Sequence, residues 1–306
     1  MKGFIGLTKR NLLIFFKDKQ SIVFSLLTSI IVLVLYILFL KGTFVDSMNE
    51  VLNQAQGLSL LVSDKDIDMF ANLVLLTGIL GSAMITVPYN CLTTVVKDRE
   101  NKIDYDVLAT PIKRSQIILS YFVSAALSSI ILTGIILSIG MLVISFQGDL
   151  HMGPIDVLAT YGVVALGSVS ATAIFMILVL FFKTSGASGA FFGMLAASSG
   201  FVIGAYIPIS QFSGGVQTVC NLFPASQITI ILRNKLMGGV LDSFNASIGG
   251  LDNGIFVDTL KEIFTFKAHL FDADLGVGAM FLYILCAIAV CLVIQVVLYA
   301  GTYKKK

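Results

Sequence analysis

The sequence predicts an all-α polytopic membrane protein: six transmembrane helices, an N-terminal amphipathic interfacial helix, and a re-entrant outer segment between helices 5 and 6. Three observations carry this expectation. Hydrophobic residues make up 57% of the 306 and charged residues only 12%, about half the charge of an ordinary soluble domain. The apolar residues fall into blocks of roughly twenty or more, the length a bilayer requires. Away from their ends those blocks hold no Asp, Glu, Lys, Arg or His. A soluble enzyme is excluded, and the whole chain, 1–306, reads as one membrane domain.

The first 21 residues form the amphipathic element. A helical wheel places Phe4, Ile5, Leu12, Phe15 and Phe16 on one arc and Lys2, Lys9, Arg10, Lys17 and Lys19 on another. Such a helix lies in the membrane interface with its lysines near anionic headgroups, so membrane lipid is a partner. Lys9, Arg10 and Phe15 mark its two faces. A basic flank that merely orients the first span would have the same composition. No small-residue cleavage site follows the first apolar run, so this segment is expected in the mature chain.

The first span, 22–40, reaches about 28 Å as a helix, close to the hydrocarbon thickness. Comparable blocks follow at 70–96, 117–146, 155–182, 188–209 and 277–300. Of the 20 Lys and Arg, fourteen lie before the first span, in 97–114, at 183 and in the tail 304–306. The other six are spread over much longer loops. This bias predicts a multi-pass protein of the bacterial plasma membrane with both termini in the cytoplasm.

The longest cytoplasmic loop, 97–116, opens with Lys97-Asp98-Arg99-Glu100 and continues with Ile103, Val107 and Leu108 at helical spacing. It stops at Thr110-Pro111, because the residue before proline is pushed out of the helical region. A short surface helix is expected, with Ser115 capping the third span. Its apolar stripe would fit a groove on a soluble protein while its charges steer the encounter. A solvated linker is the alternative.

The fifth span carries Gly189, Gly193, Ala196, Gly200 and Gly204 on one face. Small residues in that spacing let helices approach closely, either within one subunit or between two. Beyond it, 208–233 is too short and interrupted for two full spans, and a re-entrant pair of short helices fits. In the remainder of the outer segment 208–276, Phe256, Leu260, Ile263 and Phe264 recur at helical spacing among Asp252, Asp258, Glu262, Asp272 and Asp274. A small amphipathic outer helix follows.

No acid, base, nucleophile or metal set supports catalysis. His151 and His269 lie in expected outer loops without metal-ligand spacing. Cys91, Cys220, Cys286 and Cys291 fit no disulfide or metal pattern and read as packing residues. Lys183-Thr184 resembles the end of a phosphate-binding loop, but Phe182 stands where its glycine belongs. The chain is therefore expected to bind no cofactor, to leave ATP hydrolysis to another protein, and to have no nucleic-acid role. A charge-relay carrier is disfavoured for want of ionisable residues at membrane depth.

Glu100 in its charged cluster, the short apolar helix and the run Leu108-x-Thr110-Pro111-Ile112-x-Arg114 resemble the coupling-helix loop of the type-2 ABC exporter permeases. Ile207-Pro208-Ile209-Ser210, then Asn221-Leu222-Phe223-Pro224-Ala225-Ser226 and Arg233, is similar to the outer segment of bacterial drug- and toxin-export permeases. One departure is Asn101-Lys102-Ile103 after Glu100, where many relatives have Lys-Gly-Thr. The resemblance implies a separate cytoplasmic ATP-binding subunit, carrying ATP and Mg, that grips this loop and the N-terminal helix. Glu100, Leu108, Pro111 and Arg114 would form the coupling surface. A second permease chain, identical or not, would pair with this one. Spans two and five would line the path, with Asn72, Thr77, Ser198 and Ser199 as polar contacts and Gly189, Gly193, Gly200 and Gly204 at the path or subunit interface. Pro208 and Pro224 would belong to an outer gate. The implied function is ATP-driven export of a hydrophobic or amphipathic molecule: a drug, antimicrobial peptide, toxin or lipid. A permease for polysaccharides or envelope precursors, and a non-transport scaffold or sensor, are the alternatives.

Overall fold

The helices begin near the starts of the apolar blocks, but several run past or stop short of the expected ends. The computed structural model describes residues 2–54, 62–148, 150–249, 253–271 and 273–302. The basic tail 304–306, Asp252 and Asp272 lie outside them. Helix α1 (Lys2–Lys17) meets α2 (Lys19–Leu35) at a 69° bend. Asp18 occupies the bend and caps α2, accepting from Ser21 N at 3.2 Å and Ser21 Oγ at 2.8 Å. The first span does not end at Leu40. A π turn over Tyr36–Leu40 leads directly into α3 (Lys41–Gln54). Lys41 therefore continues a helix instead of opening a loop, and it pairs with Asp68 at 3.1 Å.

Helix α4 (Asp64–Cys91) starts at a Ser63 cap and contains Pro88. After a turn at Leu92 it carries on as α5 (Thr93–Glu100). The short helix α6 (Ile103–Ala109) precedes three longer ones, α7 (Arg114–Ser145), α8 (Pro154–Val179) and α9 (Ser185–Val202). The fifth apolar block was expected to stay helical to 209. It stops at Val202 because Gly204 turns left-handed (φ 68°) and Tyr206 folds back on Gly200, where a Cβ would come within 2.6 Å of the ring. Only the missing side chain admits that ring.

The outer segment holds α10 (Gly214–Leu222), α11 (Pro224–Leu236), α12 (Gly238–Ile248) and α13 (Ile255–Ile263). The amphipathic helix expected there is α13, which buries Phe256, Val257 and Leu260. One element departs from the all-α expectation: strands β1 (Ala268–Leu270) and β2 (Ala273–Leu275) form a small antiparallel hairpin with His269 opposite Asp274. Helix α14 (Val277–Thr302) closes the described chain.

Among the described residues, four stretches are long and apolar enough to cross a membrane: Asp64–Glu100, α7, α8 and α14. The bent pairs α1–α2 and α10–α11 raise the count to six if each is one span. Among them α4 is buried almost all round, whereas α14, the most evenly apolar of the four, leaves most of its surface outward, as a helix facing lipid can. Helix α2 is patterned inside out for a protein in lipid. Ser21, Ser25, Thr28 and Ser29 are buried, while Val23, Phe24, Leu27, Ile30 and Ile31 are exposed. Small hydroxyl residues permit close approach to α4 where bulk would not.

Helix α11 packs on α4 and α8 at two glycines. A Cβ on Gly81 would lie 2.6 Å from Ile203 Cδ1 and would also strike Thr229, and one on Gly167 would lie 2.9 Å from Ile228. At the end far from α1, aromatic rings of α3, α4, α12 and α13 interlock. Phe264 meets Phe70 at 5.1 Å and Phe44 at 5.4 Å, and Phe256 meets Phe244 at 5.6 Å.

Candidate functional site

The charged run Lys97-Asp98-Arg99-Glu100 forms the last turn of α5. Successive helical residues are about 100° apart, so four in a row point in four directions around the axis. Each meets a different helix. Lys97 pairs with Asp18 in the α1–α2 bend. Asp98, buried, takes a two-pronged bond from Arg10 of α1 (Nη1 to Oδ2 2.5 Å, Nη2 to Oδ1 3.0 Å) and a third from Tyr121 Oη of α7 at 2.5 Å. Arg99 Nη1 donates to the carbonyls of Leu180 (2.5 Å) and Phe182 (3.0 Å), just past the end of α8. A cation is favoured there by the helix dipole. Glu100 accepts from Ser185 N at 3.1 Å and from Ser185 Oγ. Its carboxylate thus sits at the positive N-terminus of α9, where an anion is favoured. One helical turn holds α1, α2, α7, α8 and α9 together.

The electrostatics agree with the geometry. The hydrogen bond and charge of Asp98 raise the Arg10 guanidinium against the opposing effect of burial, so it stays cationic. The hydrogen bonds from Ser185 hold the Glu100 carboxyl below its ordinary value. Glu100 itself is exposed.

Several sequence expectations are redirected. Arg10 does not face headgroups with the lysines; it turns inward to Asp98. Phe15 is buried against the bundle, while Lys9 is exposed. The apolar stripe of α6 faces inward. Val107 is buried and Ile103 and Leu108 pack against the chain's own core, which leaves Tyr105, Asp106 and Pro111 facing out. Ser115 is not the cap of α7: Arg114 is already the first helical residue, half-buried, and its N-cap Lys113 makes no side-chain cap bond.

The expected path residues do not converge within one chain. Asn72 Nδ2 donates to Gln147 Oε1 at 2.6 Å, and Thr77, buried, bonds the Val74 carbonyl. Ser198 bonds Leu195 O, whereas Ser199 Oγ lies 2.6 Å from Ser82 Oγ and joins α9 to α4. The glycine stripe divides in two. No atom lies within 4 Å of a Cβ added at Gly189 or Gly193, whereas Gly200 and Gly204 are filled by Tyr206 and Ile209. Pro208 precedes a short 3-10 turn and is half-buried, and Pro224, buried, opens α11 at a 93° bend with α10. Arg233, expected among outer-loop charges, is buried. Its two Nη groups bond Phe264 O (2.7 Å) and Gly204 O (2.8 Å), with weaker bonds to Thr265 O and Ile203 O at 3.4 Å.

Asp18, Tyr121 and Ser185 were not singled out by sequence, and Lys97, Asp98 and Arg99 only as the charged opening of a loop. The signal was four adjacent charges closing an apolar helix, which no single solvent face can accommodate. Among the described residues no group of three or more His, Cys, Asp or Glu could hold a metal.

A family model described as ABC-2 family transporter protein matches residues 59–300. No curated protein and no solved structure matches the chain.

Proposed function

The chain belongs to the ABC-2 family of transporter proteins, and from that premise we propose that it is the permease subunit of an ATP-driven exporter. It is a multi-pass membrane protein, and its cargo in this reading is hydrophobic or amphipathic. ATP and Mg bind a separate cytoplasmic subunit, which docks at the end carrying α1, α5 and α6. Both termini then lie in the cytoplasm of a bacterial plasma membrane, with α1 along the interface. A second permease chain meets this one at the open half of the α9 face around Gly189 and Gly193. Helices α10 and α11 dip into the bilayer from outside, with Pro224 at the bend.

The observation that carries this reading is the Lys97–Glu100 turn. A push on the outward residues of α6, Tyr105, Asp106 and Pro111, is passed through this turn to α1, α2, α7, α8 and α9 together. Glu100 is this turn's link to α9, so its charge bears on whether that helix follows. Glu100→Lys places a cation against a positive helix end. The variant is expected to insert and to bind the ATP-binding subunit, with ATP hydrolysis retained and transport lost. Glu100→Gln, which keeps an acceptor for Ser185, should retain part of the transport. Transport at the parent rate by the Lys variant in reconstituted vesicles refutes the coupling role.

A further inference from the structure

The β1–β2 hairpin carries an aromatic residue where the backbone does not favour one. Phe271, the residue after β1, has φ 54° and is 67% exposed. Tight turns ordinarily leave that left-handed conformation to Gly, Asn or Asp, and a bulky side chain in it is strained. Exposure of the ring to water would add a second cost. The tip is nonetheless pinned in place. Phe271 N donates to Thr218 Oγ1 at 3.1 Å, and Asn221 Nδ2 donates to His269 O at 2.8 Å, so the hairpin and α10 form one unit.

That unit has two faces. At about 100° per residue, Gln217, Thr218 and Asn221 share one arc of α10, and Val216, Val219 and Leu222 share the opposite one. The first arc meets the hairpin, and Gln217 lines a polar cavity of about 800 Å³ together with His269 and Asp274. The second arc is exposed, Val219 to 69%. Thr218 stands at the border between them on the Leu222 side, so its bond to Phe271 sets the hairpin tip beside the apolar arc.

Helix α14 fixes where this surface lies. Its outward residues, Leu282, Leu285 and Val290 among them, are those of a span facing lipid. Only Gly276 separates β2 from Val277, the first residue of α14. Tyr283, about 9 Å along the helix from Val277, donates from Oη to Leu222 O at 2.7 Å. The exposed arc of α10 is therefore continuous with the lipid-facing surface of α14, near the end of the span where headgroups lie.

We propose that Phe271 is a lipid anchor. With Val216, Val219 and Leu222 it enters the bilayer interface at the head of α14, while Gln217, His269 and Asp274 face the polar cavity. Burial of the ring among lipid offsets the backbone strain at the tip. That the leaflet is the outer one rests on the transport reading; the insertion rests only on α14 crossing the membrane.

The chain contains no tryptophan, so Phe271→Trp, which keeps an aromatic ring, supplies a single reporter in the full-length protein. In phosphatidylcholine nanodiscs, without any ATP-binding subunit, its emission should lie to the blue of free tryptophan. Phosphatidylcholine brominated on its acyl chains should quench it more strongly than aqueous iodide does. Leu282→Trp, on the lipid face of α14, provides the response of a ring known to meet lipid. Phe271→Asn separates anchoring from a purely structural role, because asparagine suits φ 54° better than phenylalanine. Loss of the anchor should speed backbone hydrogen exchange in the hairpin even though the strain is relieved. Stronger quenching by iodide than by the brominated lipid places the ring in water, and quenching by neither places it against protein, such as a second permease chain. Either result overturns the proposal, as does hairpin exchange that is unchanged or slower in Phe271→Asn. No ATP enters these measurements, so their failure leaves the transport reading to its own test.

Discussion

Asp98→Ala is expected to destabilise the protein more than any other single change in the α5 turn. The Asp98 carboxylate is 5% exposed and its partner Arg10 30% exposed, and three hydrogen bonds of 2.5, 3.0 and 2.5 Å converge on it. Removing one partner of a buried ion pair costs about 3–5 kcal/mol. The exposed part of Arg10 can still reach water, which lowers this to about 2–3 kcal/mol. The Tyr121 hydroxyl loses its acceptor inside the protein, adding about 1–2 kcal/mol. The sum, about 3–5 kcal/mol, corresponds to a fall in Tm of about 5–8 °C for a chain of this size. The protein has no tryptophan, so unfolding is best followed with a thiol-reactive dye reporting on buried Cys91 and Cys220, after replacing exposed Cys286. Asp98→Asn should lose only about 1–2 kcal/mol, since it keeps an acceptor for Tyr121. The double variant Arg10→Met, Asp98→Leu should recover much of the loss, because the orphaned charge is gone. A Tm shift below about 2 °C for Asp98→Ala, or simple additivity in the double variant, refutes the reasoning.

Three further outcomes follow from close contacts. Gly81→Val should destabilise by about 3 kcal/mol or more, because its side chain strikes Thr229 and Ile203; the same dye assay reads it. Gly189→Ala should leave the isolated chain as stable as before or up to about 1 kcal/mol more so, since alanine favours a helix and nothing stands in its way. If the second permease chain meets α9 there, Gly189→Ala should nonetheless weaken association of the two chains, as measured by crosslinking in membranes. Arg233→Lys should cost about 3 kcal/mol and resemble Arg233→Met rather than the parent, because an ammonium cannot reach both Phe264 O and Gly204 O as the guanidinium fork does.

Four of the expected spans, 70–96, 117–146, 155–182 and 277–300, were legible because the bilayer imposes one requirement, length without charge, that any window of the sequence exposes; the first counts only as part of the bent α1–α2 pair, and α9, from the fifth block, is not among the stretches that meet the requirement. What lay outside that requirement was harder. The extension of α2 through Lys41 was hidden because a lysine after an apolar run reads equally as an interfacial anchor and as the next helical turn. The end of α9 at Val202 depends on Tyr206 folding back on Gly200, a contact that composition does not encode. The α6 stripe was visible as a stripe, but periodicity says only that Ile103, Val107 and Leu108 share a face, not whether that face meets the same chain or another. The charged turn was legible as residues and illegible as a site. Consecutive charges ordinarily mean solvent; here two carbonyls past the end of α8, the start of α9, the α1–α2 bend and a buried tyrosine were in reach, and their positions are set by the whole bundle. Arg233 misled for the same reason, since backbone carbonyls can satisfy a guanidinium without any acidic partner in the sequence.

The rod formed by α2, the π turn and α3 is fastened to α4 along its length: by the close approach of Ser21, Ser25, Thr28 and Ser29, by the Tyr36 hydroxyl on the Ala71 carbonyl, and by Lys41 on Asp68. A rod held at several points moves as one piece with the helix it lies on. Phe44 and Met48 ride on its far arm among the interlocked rings, so a tug on Asp18 through Lys97 is carried by the α2–α4 pair to the other side of the bilayer.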